Sequence, residues 1–176
     1  MVLGLGISTS AFTLIHVALS LIGIATGFVV VAGMFGSNRL TGWTGVFFST
    51  TILTSATGFF FSHDQILPSH IVGALSLVVL AIALFAFYRY RLEASWRWIY
   101  VITALTALYF NVFVGVVQAF QKVDFLHALV STQSDAPFVI AQVAVFVAFV
   151  VIAVIALRSF HPAAHAADLR PSRALN

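Results

Sequence analysis

The chain contains no cysteine, which excludes disulfides, thiolate metal sites, iron–sulfur clusters and thiol catalysis. Charge is almost as scarce. Only 7% of residues are Asp, Glu, Lys or Arg, against about 25% in an ordinary soluble domain, too few to clothe a water-facing surface. The acids Asp64, Glu93, Asp124, Asp135 and Asp168 all fall outside the long apolar runs. No carboxylate is therefore left inside a membrane for a proton pump or cation-coupled carrier of the common kind. Glycine-rich phosphate loops are missing, and the serine and histidine pairs follow no catalytic grammar, so hydrolase and ATPase readings have no support. The alternating ten-residue segments of a membrane β-barrel are absent too. A formal charge of +3 does not point to nucleic acid, because the basic residues are few and sit at the ends of apolar runs.

Apolar residues make up 61% of the chain, and its mean hydropathy is +1.09. A crossing needs roughly 20 predominantly apolar residues, and five stretches qualify: about 12–35, 43–62, 70–88, 98–120 and 137–159. The expected fold is an all-α integral membrane protein, a five-transmembrane-helix bundle forming one domain over 1–160 with a tail at 161–176. Met1 to Ser10 carries no positive charge, and the run after it is too long for an ordinary signal peptide, so the first stretch reads as a retained helix. Between the runs, Gly36-Ser37-Asn38-Arg39 reads as a tight turn, Ser69 and Ser95 as helix caps, and Ser134-Asp135-Ala136-Pro137 as a helix start.

Five crossings put Arg39, Arg89, Arg91, Arg97, Arg158, Arg170 and Arg173 on one side and Lys122 on the other. The positive-inside rule assigns the arginine side to the cytoplasm, which places the N-terminus outside and the C-terminus inside. Trp43, Trp96 and Trp98 lie at that same edge with Tyr88, Tyr90 and Tyr100, where amphipathic rings favour the interface. The implied location is a bacterial inner membrane.

In lipid, small and polar side chains mark the faces where helices meet. His16, Ser20, Gly23 and Gly27 share a face of the first helix, with Gly23 and Gly27 as a small-xxx-small pair suited to close packing or to a flat cofactor. Thr51, Thr54 and Gly58 share one side of the hydroxyl-rich second helix, either bonded back to their own helix or lining a small-ligand site. Ala104, Ala107, Asn111, Gly115 and Gln118 form a stripe on the fourth, where Asn111 must face a helix or a cavity. Tyr109 and Gln142 are further candidates for a polar network. Lys122 to Val130 is amphipathic and fits a short interfacial helix.

Four of the histidines, His16, His63, His70 and His127, share the outer side, while His161 and His165 lie in the tail. Imidazoles from facing helices can hold b-type haem, with His16 and His70 as ligands and Gly23 and Gly73 making room. Copper or zinc on His16, His63, His70 and His127, with Asp64 or Asp124 adding oxygen, is an alternative. Phe59, Phe60, Phe61, Phe110 and Phe120 can surround a quinone headgroup.

The run Thr51-Ile52-Leu53-Thr54-Ser55-Ala56-Thr57-Gly58-Phe59-Phe60, with Pro68-Ser69-His70, Asn111-Val112-Phe113-Val114 and Gln118-Ala119-Phe120-Gln121-Lys122-Val123, resembles small uncharacterised bacterial inner-membrane proteins. It is loosely similar also to multihelical bacterial membrane families suspected of binding haem. The expectation is a membrane redox-cofactor or quinone-binding protein that assists electron transfer, with His16, His70, Asn111 and Gln118 at the cofactor. The alternatives are an accessory or assembly subunit of a larger membrane complex, or a small metal-handling or transport protein. The lipid bilayer is the expected partner in every case, with complex subunits or further copies of the chain beside it.

Overall fold

The computed structural model describes residues 8–61, 68–130 and 132–162. Among the described residues all regular structure is helical: α1 (Thr9–Phe35), α2 (Thr41–Gly58), α3 (Pro68–Leu84), α4 (Trp96–Lys122), the short α5 (Asp124–His127) and α6 (Ala136–Ser159). A π-helical turn, Phe85–Arg89, continues α3. Each apolar run is thus a helix, and α5 falls within the amphipathic segment. Four helices are long and apolar enough to cross a membrane: Thr9–Phe35, His70–Arg89, Trp96–Lys122 and Ala136–Ser159. This is the make-up of a multi-span α-helical membrane bundle. The helix that falls short is α2, because eleven of its 18 residues are glycine, serine or threonine.

Local chemistry sets the helix ends. Ser8 caps α1, its Oγ accepting from the Ala11 amide at 3.2 Å. The α1–α2 turn places Ser37 and Leu40 at φ 54° and 40°, and the Leu40 side chain fills the space where Gly33 has no Cβ. One expected cap does not form, and another position falls inside its helix. Helix α3 already begins at Pro68, which puts Ser69 inside its first turn, and Ser95 has helical φ/ψ of −66° and −21°, which makes no side-chain cap bond. Asp135 precedes α6 with proline in the first turn, as the sequence suggests. Helix α2 stops at Gly58 rather than Ser62, because Phe59 and Phe60 turn back onto Ala56 and Thr57.

Helix α4 is the hub and packs against α1, α2, α3 and α6. The pairs α1–α2, α2–α3, α3–α4 and α4–α1 close a four-helix ring, and α6 lies outside it against α4 and α1. One end of this ring is filled by Met34, Phe47, Phe48, Phe87, Tyr100 and Phe160, all buried. The described arginines meet there. Arg97 Nη1 donates to the carbonyls of Leu157 (3.2 Å) and Phe160 (2.6 Å), two acceptors that the end of α6 leaves without helical partners. Arg39 Nη2 donates to the Phe87 carbonyl at 3.3 Å, with the guanidinium 5.1 Å from the Phe87 ring centre. The His161 amide donates to Ser37 Oγ at 2.7 Å, joining the end of α6 to the α1–α2 turn. The tail beyond 162, with His165, Arg170 and Arg173, lies outside the described residues.

Glycine sets the helix spacing. A Cβ on Gly27 would sit 2.5 Å from Leu108 Cδ1 and 3.1 Å from Phe47 Cε2, so α1, α2 and α4 approach where α1 has no side chain. Gly42 has nothing within 4 Å of the same construction. Overpacking a close contact costs about 1–3 kcal/mol. Gly27→Leu is therefore expected to lower thermal stability in detergent by about that amount, and Gly42→Leu to leave the melting temperature unchanged; equal melting of the two variants would refute the close-packing account.

Candidate functional site

At the end opposite the arginines, α1 to α4 enclose a half-open cavity of about 90 Å³. Its polar lining comes from His16 and Ser20 on α1, Thr54 and Ser55 on α2, His70 and Ser76 on α3, and Asn111 on α4; Phe59 and Phe110 supply aromatic walls. His16 is half-buried, and its Nδ1 lies 2.8 Å from Thr57 Oγ1. The Phe61 ring meets the imidazole edge-on, with centroids 5.1 Å apart. His70 stacks on Phe59 at 5.7 Å and 23°. Gly73 lies beside that ring, where a Cβ would be 3.4 Å from Phe59, an ordinary contact.

Each polar group in a membrane bundle needs a partner from the protein itself or from a bound molecule. Asn111, 7% exposed, is served by α1: its Oδ1 accepts from Ser20 Oγ at 2.8 Å, and its Nδ2 donates to the Ser20 carbonyl at 3.4 Å. Ser55 and Ser76 pair at 3.1 Å and tie α2 to α3. On α2, Thr50 and Thr57 donate back to the carbonyls of Val46 and Leu53 at 2.8 and 2.7 Å. Thr51 and Thr54 do not; among the described residues the buried Oγ1 of each has no hydrogen-bond partner. Back-bonding thus holds for Thr50 and Thr57 and not for Thr51 or Thr54, of which Thr54 lines the cavity.

His16, His70 and Asn111 are brought together at the cavity. Gln118 is exposed and does not line it, and His127 is exposed on α5. His63 and Asp64 lie outside the described residues. Among the described residues there is no group of three or more His, Asp or Glu able to hold a metal ion. Gly23, expected either to pack closely or to admit a cofactor, is filled by protein: a Cβ there would sit 3.0 Å from Asn111 Nδ2 and 3.1 Å from Thr51 Oγ1. Gln142 is buried and donates to the Phe113 carbonyl at 3.2 Å, whereas Tyr109 belongs to an aromatic cluster with Phe113, Phe146 and Phe149. Ser76 was not singled out by sequence, though it repeats the His70–Gly73 spacing once more along α3, and that was its legible signal. Comparison with protein-family models, curated proteins and solved structures gives no match.

Interhelical polar bonds in membranes average about 0.6 kcal/mol and reach about 1.7 kcal/mol. A double-mutant cycle on Ser20→Ala and Asn111→Ala, read by unfolding in detergent, is expected to give a coupling energy in that range; strict additivity would show that the contact carries no stability.

Proposed function

We propose that the chain is a five-span protein of the bacterial inner membrane that binds a quinone headgroup between α1, α2, α3 and α4 and assists electron transfer. The observation that carries this reading is the meeting of two imidazoles, from α1 and α3, with Asn111 and an unpartnered Thr54 hydroxyl in one aromatic-walled cavity. A neutral ring with polar groups at its edge suits that mixture of stacking surface and hydrogen-bonding groups. Size favours one ring over a macrocycle. The cavity, about 90 Å³, is well below the roughly 300–1,000 Å³ of sites for larger ligands, so haem b on His16 and His70 would require the ring of helices to open. A copper or zinc site would have to draw on His63 or His127 as well, and His127 is exposed away from the cavity lining.

The topology behind this reading has α2 as the fifth crossing, its hydroxyl load eased where Thr50 and Thr57 bond back to their own helix and Ser55 bonds to Ser76 of α3. The arginine-bearing end faces the cytoplasm and the cavity faces outward. Because the chain has no native cysteine, single substitutions test this directly. A membrane-impermeant maleimide added to intact cells is expected to label His127→Cys and to spare Arg91→Cys until the membrane is opened; the reverse pattern, or labelling of both, would overturn the topology.

After mild extraction, stoichiometric quinone is expected to accompany the protein and to be lost from His16→Ala and His70→Ala, as measured by chromatography of the organic extract. A reducible Soret band removed by the same substitutions would replace quinone with haem, and stoichiometric copper or zinc would replace both with the metal reading.

A further inference from the structure

The quinone reading leaves open which redox form the cavity prefers, and the hydrogen bonds around His16 bear on that choice. A neutral imidazole has one donor and one acceptor nitrogen. His16 Nδ1 is 2.8 Å from Thr57 Oγ1. The same hydroxyl lies 2.7 Å from the Leu53 carbonyl and 3.1 Å from that of Thr54. Carbonyl oxygens only accept, so the single hydroxyl hydrogen is committed to the backbone, and Thr57 offers His16 a lone pair. With that hydrogen on the backbone the ring donates through Nδ1, which leaves Nε2 as its acceptor nitrogen, on a side chain that lines the cavity.

Thr54 supplies the complement. Thr13, Thr26, Thr50, Thr57, Thr103 and Thr106 all donate to the carbonyl four residues earlier. Thr54 lines the cavity, and its Oγ1 has no partner among the described residues. That buried oxygen is the threonine hydroxyl of the lining that has no protein partner among the described residues.

We propose that the cavity selects the reduced, hydroxyl-bearing quinol over the quinone, with Thr57 as the positioning residue that holds His16 as an acceptor. This inference rests on the quinone reading. A quinol hydroxyl donates to Nε2. A quinone carbonyl would set its lone pairs against that of Nε2, leaving both acceptors without a hydrogen. Removing the Thr57 hydroxyl frees the ring to carry its proton on Nε2, from which it can donate to a carbonyl.

The test is anaerobic equilibrium dialysis of the full chain in lipid nanodiscs against duroquinol and duroquinone, with protein-free nanodiscs as the blank. Wild type is expected to bind duroquinol about tenfold more tightly, the worth of one hydrogen bond in a shielded site. Thr57→Val should bring the two affinities within about twofold of each other as that bond is lost, while Thr57→Ser should restore the preference. A purely structural role for Thr57 would move both affinities together and leave their ratio alone. Equal binding of the two forms by wild type, a preference for duroquinone, or an unchanged ratio in Thr57→Val would overturn the inference while leaving the quinone site standing. Binding of neither form would overturn the site and the inference together. The wild-type ratio needs no variant, so a folding defect in Thr57→Val does not prevent a decision.

Discussion

The close approach of α1 to α2 and α4 at Gly23 and Gly27 is the constraint on which the rest of the bundle depends. In lipid, burying apolar surface gives helices little reason to associate, so dispersion contacts and shared polar groups must hold them together. Bare glycines allow both. At Gly27 the side chains of Leu108 and Phe47 enter the space a Cβ would occupy, and at Gly23 Asn111 and Thr51 do so. One turn above, that spacing lets Ser20 reach Asn111 at 2.8 Å. The cavity begins at this level, with His16 of α1 and His70 of α3 in its lining.

The two ends of the bundle solve the problem of polar groups in different ways. At the arginine-bearing end the helix termini are sealed by charge: Arg97 takes the orphan carbonyls at the end of α6, Arg39 takes one from the π-helical turn, and aromatic rings fill the space between. Of these bonds the one from Arg97 to the Phe160 carbonyl is short, at 2.6 Å, as charge-assisted bonds can be, while Arg39 Nε is buried without a partner among the described residues. Around the cavity at the opposite end the polar side chains are hydroxyls, imidazoles and one amide, dispersed over four helices and only partly paired with one another. Unmade hydrogen bonds in a low-dielectric setting cost about 1–3 kcal/mol each, so such an end favours a guest that can complete them.

Helix α2 shows how far residue composition can be read. Its run of hydroxyls is plain in the sequence, yet the stretch 43–62 still counts there among the apolar runs. Which hydroxyls serve the helix and which face a site is not, because back-bonding is open to every threonine in a helix. Thr50 and Thr57 take that option and Thr51 and Thr54 do not, a difference made by the neighbours each one meets. Gln118 carries the complementary lesson: it continues the Asn111 stripe along α4, yet it is exposed, since a stripe marks an interface only as far as a partner helix runs beside it.

Linear order was enough to place the long helices, the α1–α2 turn and the arginines at alternate helix ends. All three follow from apolar run length and from charges that are too costly to bury in lipid. Tertiary structure alone decided the ring order with α4 as hub, the seating of α6 outside the ring, and the meeting of His16, His70 and Asn111 at one cavity. Those choices rest on contacts between residues far apart in the chain, at distances that side-chain shape sets and linear spacing does not encode.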